Sequence, residues 1–256
     1  MAQGLKDKVV IITGASRGLG RMFALRFAEE GAKLLLTTTN MGRAKGTIDE
    51  VKAKGAEVAI VEADISREDD VKKIADKAKQ EYGKVDILLN NAAVYYGVDP
   101  RPWNVWSPED WDPMFNVNVR GTWMCCKEIA PIMEEQGKGK IINIASDIWK
   151  SVDAQFFLPY AVSKAALFMM NQALARALGP SGINVNAIGP GFTATEASLG
   201  FTDSDKIFEG VINAQCIKRR QEPEDVVGAA VFLASEDSDF ITGQFLIVDG
   251  GHTMVS

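Results

Sequence analysis

The chain has 256 residues, 46% of them hydrophobic and 24% charged, a balance typical of a globular protein that buries one large core without needing a second domain. A formal net charge of −6 and a pI near 5.0 argue against a nucleic-acid surface. No repeat, low-complexity tract, or apolar run of signal-peptide or membrane-spanning length interrupts it, so no membrane partner is expected and the cytoplasm is the expected location.

Val9 to Ile12 is a short β-branched run suited to a buried parallel strand. It leads into Thr13-Gly14-Ala15-Ser16-Arg17-Gly18-Leu19-Gly20 and then a helical pattern through Phe23, Ala24, Phe27 and Ala28. Strand, glycine turn and helix in that order make a nucleotide cradle. Glycines let the backbone approach a pyrophosphate, whose charge meets the amides and dipole of the helix start. The spacing is Gly-x-x-x-Gly-x-Gly, not the commoner Gly-x-Gly-x-x-Gly. Gly31 closes the helix, and Lys33 to Thr38 reads as the second strand. In dinucleotide folds an acidic residue near this strand's end takes the ribose 2′-hydroxyl of NAD. Here Thr37, Thr38, Thr39 and Asn40 stand instead, with Arg17 and Arg43 nearby. This favours NADP(H), with NAD(H) as the alternative; the competing reading of Arg17 is a surface arginine without a phosphate contact.

Val58 to Val61 makes a third strand, ending at Asp64, whose carboxylate either accepts an adenine amino group or caps the helix starting near Arg67. Asp86 to Leu89 is the fourth strand and runs into Asn90-Asn91-Ala92-Ala93. Small residues and amides at a parallel strand's carboxyl end sit where ligands bind, unless they merely end the strand. An aromatic loop follows, with Tyr95, Tyr96, Trp103 and Trp106 broken by Gly97, Pro100 and Pro102. It matches neither helix nor strand periodicity, so it reads as pocket wall as readily as core. A long helix from Pro108 through Met133 carries Asn118, an amide that needs partners wherever it is buried. It also carries Cys125 and Cys126. With Cys216 these make an odd set without metal-ligand spacing, and the pair reads as small core residues in a reducing compartment.

Lys140 to Ala145 is the fifth strand, with Ser146 directly after it. Asp147 beside it either caps a turn or touches a polar substrate group. Ile148, Trp149, Phe156 and Phe157, with Tyr95, Tyr96 and Phe192, are expected to enclose a flat, apolar substrate. The next helix, about Pro159 to Leu178, presents Tyr160 and Lys164 one turn apart on one face. An ammonium beside a phenol favours the phenolate and makes an acid/base unit, although such a pair also occurs by chance. Ile183 to Ile188 is the sixth strand, ending in Gly189-Pro190-Gly191-Phe192-Thr193-Ala194-Thr195. The stretch to about Ile217 has mixed polarity and reads as a lid. Phe245 to Val248 is the last strand. His252, in the tail, reads as a surface or subunit-contact residue.

The glycine turn, Asn90-Asn91-Ala92-Ala93, the Tyr160/Lys164 pair and Pro190-Gly191 together resemble the short-chain dehydrogenase/reductase family, from Lys6 to about Val248. The resemblance implies a single-domain α/β fold, a doubly wound (Rossmann) parallel sheet with helices on both faces. The nucleotide-binding half would span about 6–92 and the catalytic half about 93–256, with a lid over about 192–217. Ala93 departs from the family's usual glycine, and the 14 positions from Ser146 to Tyr160 are slightly more than its usual spacing.

The resemblance also implies reversible hydride transfer between a nicotinamide dinucleotide and a carbonyl/secondary-alcohol pair, with no metal. Tyr160 would donate the proton and Ser146 would bond the same oxygen. Lys164 would hold the tyrosine pKa low and grip the ribose, and Asn118 would hold a water linking the lysine to solvent. Implied cofactor contacts are Gly14, Ser16, Arg17, Gly18, Leu19, Gly20, Thr38, Asp64, Ile65, Asn91, Ala92, Tyr160, Lys164, Pro190 and Gly191, with Thr193 and Thr195 on the nicotinamide side. A homotetramer or homodimer through the two long helices and the last strand is implied as well. Two other readings stand beside this one. Reduction of a 3-oxoacyl thioester on an acidic carrier needs a basic docking face, which the sequence does not concentrate anywhere. A non-catalytic redox sensor would be free to lose the serine, tyrosine or lysine, and all three are present.

Overall fold

The structure, a computed structural model, describes residues 4–95 and 98–254; Tyr96 of the expected substrate wall lies outside them. The β-branched and leucine-rich runs form β1 (Val9–Ile12), β2 (Lys33–Thr38), β3 (Val58–Glu62), β4 (Ile87–Asn90), β5 (Gly139–Ile144), β6 (Ile183–Pro190) and β7 (Phe245–Val248). All pair in parallel, in one sheet of order β3-β2-β1-β4-β5-β6-β7. The inner strands are buried nearly throughout and the edge strands β3 and β7 only partly. That is why the inner strands read as continuous apolar runs.

The helices are α1 (Gly18–Glu29), α2 (Met41–Ala53), α3 (Glu68–Tyr82), α4 (Pro108–Met114), α5 (Thr122–Gln136), α6 (Leu158–Leu178), α7 (Glu196–Leu199), α8 (Ser204–Ala214) and α9 (Pro223–Ala234). On one face of the sheet, Phe23 and Phe27 of α1 meet Val226 and Val231 of α9 over β1 and β2. On the other, Ile74 of α3 and Ile129 and Met133 of α5 cover Ile11, Leu88 and Ile141. The chain winds outward from β1 in one direction and from β4 in the other. A crevice therefore opens at the carboxyl ends of these two neighbours.

The expected single helix from Pro108 is broken. A π-helical stretch, Phe115–Gly121, separates α4 from α5. Such a segment adds a residue to the turn and re-aims side chains, often at functional sites; here it carries Asn118. Buried amides link the middle of the fold. Asn90 Nδ2 donates to Asn143 Oδ1 at 3.0 Å, and Asn143 Nδ2 to Asn171 Oδ1 at 3.4 Å, joining β4, β5 and α6. Two 3₁₀ turns, Ile148–Lys150 and Val152–Phe156, take up the extra length between Ser146 and Tyr160.

Candidate active site

The glycine turn is tight for steric reasons. Gly14 and Gly18 have φ of +66° and +54°, values that L side chains rarely adopt. A Cβ on Gly20 would lie 2.2 Å from the Gly14 carbonyl oxygen and 2.6 Å from Asn91 Nδ2, and one on Gly14 would lie 2.8 Å from Ala92 Cα. Asn91 Nδ2 donates to the carbonyls of Thr13 and Gly14 at 3.0 and 3.1 Å, clamping the turn to the end of β4. Helix α1 starts with no side-chain cap and no acidic residue in its first turn, so its amides and positive dipole end face an anion site. One amide, Gly18 N–H, already donates to the Glu196 carboxylate of α7 at 3.0 Å. A bare-backbone cradle already receptive to a carboxylate fits a pyrophosphate.

At the end of β2 no carboxylate faces the cavity, and Arg17, Thr38 and Arg43 line it. The Thr38 hydroxyl donates to the Asn40 carbonyl at 3.1 Å and accepts from Asn40 N–H at 3.0 Å. Asp64 does not cap α3: its carboxylate accepts from Ser66 N–H at 2.9 Å, and Arg67 holds the N-cap position. It lines the same cavity.

A continuous cavity of about 800 Å³ runs from this cradle to Ser146, Tyr160 and Lys164, and every expected cofactor residue from Gly14 to Thr195 lines it. Ser146 stands at the end of β5, where its Oγ accepts from Ile148 N–H at 3.2 Å and donates to Asp147 Oδ1 at 3.4 Å. Burial, then the Asp147 carboxylate, pushes the Tyr160 phenol well above its usual range, while a hydrogen bond with Ser146 opposes the rise. Ser146 and Tyr160 line the same cavity.

Lys164 Nζ lies 5.7 Å from the Tyr160 ring centroid and donates to the Ile144 carbonyl at 2.8 Å. Burial pulls this lysine down to about 7. The expectation that Lys164 holds the phenol low is therefore not met in the protein alone. Desolvation acts on both groups and favours both neutral forms.

Asn118, fully buried, lies behind the cavity. Its Oδ1 accepts from Val94 N–H at 2.8 Å and its Nδ2 donates to Ser163 Oγ at 3.0 Å. Ser163 in turn donates to the Tyr160 carbonyl at 2.7 Å. Asn118 thus braces the turn that carries Tyr160.

Of the apolar wall, Tyr95, Ile148, Phe156, Phe157 and Phe192 line the cavity, and Tyr95 packs on Tyr160 with centroids 4.9 Å apart. Trp149 does not line it. Its ring packs against Phe168 and Phe245 at 5.2 and 5.8 Å, because a 3₁₀ turn rotates each residue by a third of a circle from the last and Ile148 takes the inward place. His252, expected as a surface or subunit-contact residue, is half-buried. It lines the cavity, and its Nδ1 is 3.2 Å from Asp147 Oδ2. Its one sequence signal was its place just past the carboxyl end of a parallel strand. Nothing in the sequence pointed to Glu196 or to Phe201, which stacks with Phe157 and Phe192. Cys125 and Cys126 are buried core residues of α5, as expected.

Fold and site define a nucleotide-dependent oxidoreductase of the doubly wound α/β class. Residues 14–253 match the family described as enoyl-(acyl carrier protein) reductase. The chain is 36% identical, over 98% of both sequences, to (2S)-[(R)-hydroxy(phenyl)methyl]succinyl-CoA dehydrogenase subunit BbsD of Thauera aromatica. It is 32% identical to the 3-oxoacyl-[acyl-carrier-protein] reductase FabG of Staphylococcus epidermidis, over 97% of this chain and 100% of that one. A solved 7α-hydroxysteroid dehydrogenase, complexed with NADH and 7-oxo glycochenodeoxycholic acid, superposes with a TM-score of 0.90 at 33% identity, covering 98% of this chain and 96% of that one. The chain belongs to the short-chain dehydrogenase/reductase family, and its chemistry is NAD(P)-dependent interconversion of a carbonyl and an alcohol.

Proposed function

We propose that this protein reduces, and in reverse forms, the carbonyl of a small hydrophobic, aromatic or cyclic molecule, with NADP(H) as the preferred cofactor. The observation that carries this is that Ser146, Tyr160 and Lys164 line the same cavity as the glycine cradle. Residues from Gly14 to Gly20, Asn91, Lys164 and Thr193 would hold the dinucleotide, which supplies or accepts the hydride when bound. The Tyr160 phenol, neutral at ordinary pH, gives its proton to the oxygen on which charge develops, and Ser146 donates to the same oxygen. Donors aimed at charge that exists only in the transition state lower the barrier without trapping the substrate. Because the phenol is pushed up, alcohol oxidation, which needs it deprotonated, gains rate with rising pH, while carbonyl reduction does not. Asn118 supports the same unit from behind.

The preference for NADP(H) rests on Arg17 and Arg43 at the cavity end of β2, where no carboxylate opposes a 2′-phosphate. Reduction of a carrier-bound thioester is less favoured. Around the lid, Lys206, Arg219 and Arg220 pair with Asp203, Asp225 and Asp205, leaving little charge to seat an acidic carrier. Assembly as a homotetramer fits the apolar side chains exposed on α5, α6 and β7, among them Trp123, Met169 and Leu246.

The test is steady-state oxidation of NADPH and of NADH with aryl and cyclic ketones, beside a 3-oxoacyl thioester. Tyr160→Phe is expected to lower turnover by about 10²–10⁴-fold and to leave NADPH affinity, read by its fluorescence, nearly unchanged. A variant with near-normal turnover would refute the assignment of Tyr160, and a wild-type preference for NADH would refute the cofactor reading.

A further inference from the structure

Asp147 and His252 are 105 residues apart in sequence yet share the cavity wall beside Ser146. The pairing is topological. β7 lies next to β6 and β6 next to β5, so the segment past β7 rises at the same sheet edge as the residues past β5.

The pair is not needed to dock the tail. Asp249 already fixes that turn, accepting from Gly251 N–H at 2.9 Å, Thr253 N–H at 2.6 Å and the Thr253 hydroxyl at 2.8 Å. Asp147 itself is 5% exposed, and among the described residues its side-chain oxygens hydrogen-bond with Ser146 Oγ and His252 Nδ1. A carboxylate offers about four acceptor positions, so lone pairs remain. The His252 ring uses Nδ1 on Asp147, and its Nε2 has no protein partner among the described residues.

We infer that Asp147 and His252 form a polar pole of the substrate cavity that binds a second hydroxyl, on the carbon next to the reacting carbon. The inference rests on the proposed function and narrows it. The substrate is an α-hydroxy ketone or the matching diol, with an apolar body against Tyr95, Phe157 and Phe192. Ser146 links the two ends, since the hydroxyl that holds the reacting oxygen also touches Asp147. A hydroxyl suits this pole because it donates to a lone pair of Asp147 while accepting from Nε2–H of the protonated imidazole, or donates to Nε2 when the ring is neutral. An anionic group does not, because three carboxylates, Asp147, Asp153 and Asp249, surround the single imidazole and would repel the anion.

The test compares 2-hydroxyacetophenone with acetophenone as substrates of the full chain, using NADPH and NADH, by kcat/KM. The wild type is expected to favour the hydroxy ketone by at least about tenfold, since a site built to bond a hydroxyl discriminates strongly against its absence. His252→Ala should erase that advantage while leaving acetophenone within about threefold of wild type. His252→Asn keeps a donor toward Asp147 but has no second nitrogen for the substrate. It should behave like His252→Ala; restoration of the advantage by Asn would show a structural role and overturn the inference. Equal wild-type kcat/KM on the two ketones, or equal losses on both in His252→Ala, would overturn it too. Failure of the wild type to reduce either ketone with either cofactor would overturn the proposed function itself, and this inference with it.

Discussion

Lys164 shows how burial sets the chemistry of single residues here. It is 2% exposed, and its charge is met by a backbone carbonyl rather than a carboxylate. Its pKa falls from 10.5 to about 7 for that reason. Between these values the unfolded chain binds more protons at this position than the folded one. Stability therefore rises with pH through the window, and the penalty is complete below its lower end. Thermal melts of wild type and Lys164→Met should show wild type gaining on the variant as pH is raised from 7 to roughly 9. Parallel curves would mean that the lysine is solvated enough to stay charged. Tyr160 answers to the same desolvation in the opposite direction, so its proton is held ready for donation and not lost beforehand.

At the level of elements, the contact between α7 and α1 matters most. The exposed Glu196 carboxylate of the short helix α7 takes an amide at the start of α1, a donor that a phosphate would also require. The carboxylate and an incoming dinucleotide thus compete for the same positive helix end. Glu196→Ala is expected to tighten NADPH binding roughly two- to fivefold, the scale of a charge at an exposed helix terminus, as read by cofactor fluorescence. Unchanged or weaker binding would show that Glu196 does not compete with the cofactor for this helix end. The π-helical stretch acts in the other direction, fixing an element in place: it seats Asn118 between Val94 and Ser163. Gly121 ends it where a Cβ would lie 2.9 Å from Ile65 Cγ1.

For the molecule as a whole, the sheet order gathers at one edge residues from the first twenty positions and the last five. Large apolar side chains also remain on the outside. Met169 is 62% and Trp123 45% exposed, on the helices expected to pair with other copies. Exposed large apolar residues are what an oligomer interface removes from water. Light scattering is expected to give a tetramer for wild type and a smaller species for Met169→Asp. A wild-type monomer at micromolar concentration would rule this assembly out.

The strands, the glycine cradle and the Tyr160/Lys164 pair were legible in the sequence because they depend on local rules: β-branched runs, glycine where a Cβ cannot fit, and a four-residue helical repeat; Ser146 was reached through the family resemblance. The outward turn of Trp149, the break before Asn118, the pairing of His252 with Asp147 and the raised Tyr160 phenol were not legible. Each depends on which distant groups share a wall and on how much water they lose there. Burial and long-range proximity are properties of the packed chain, so only the tertiary structure decides them.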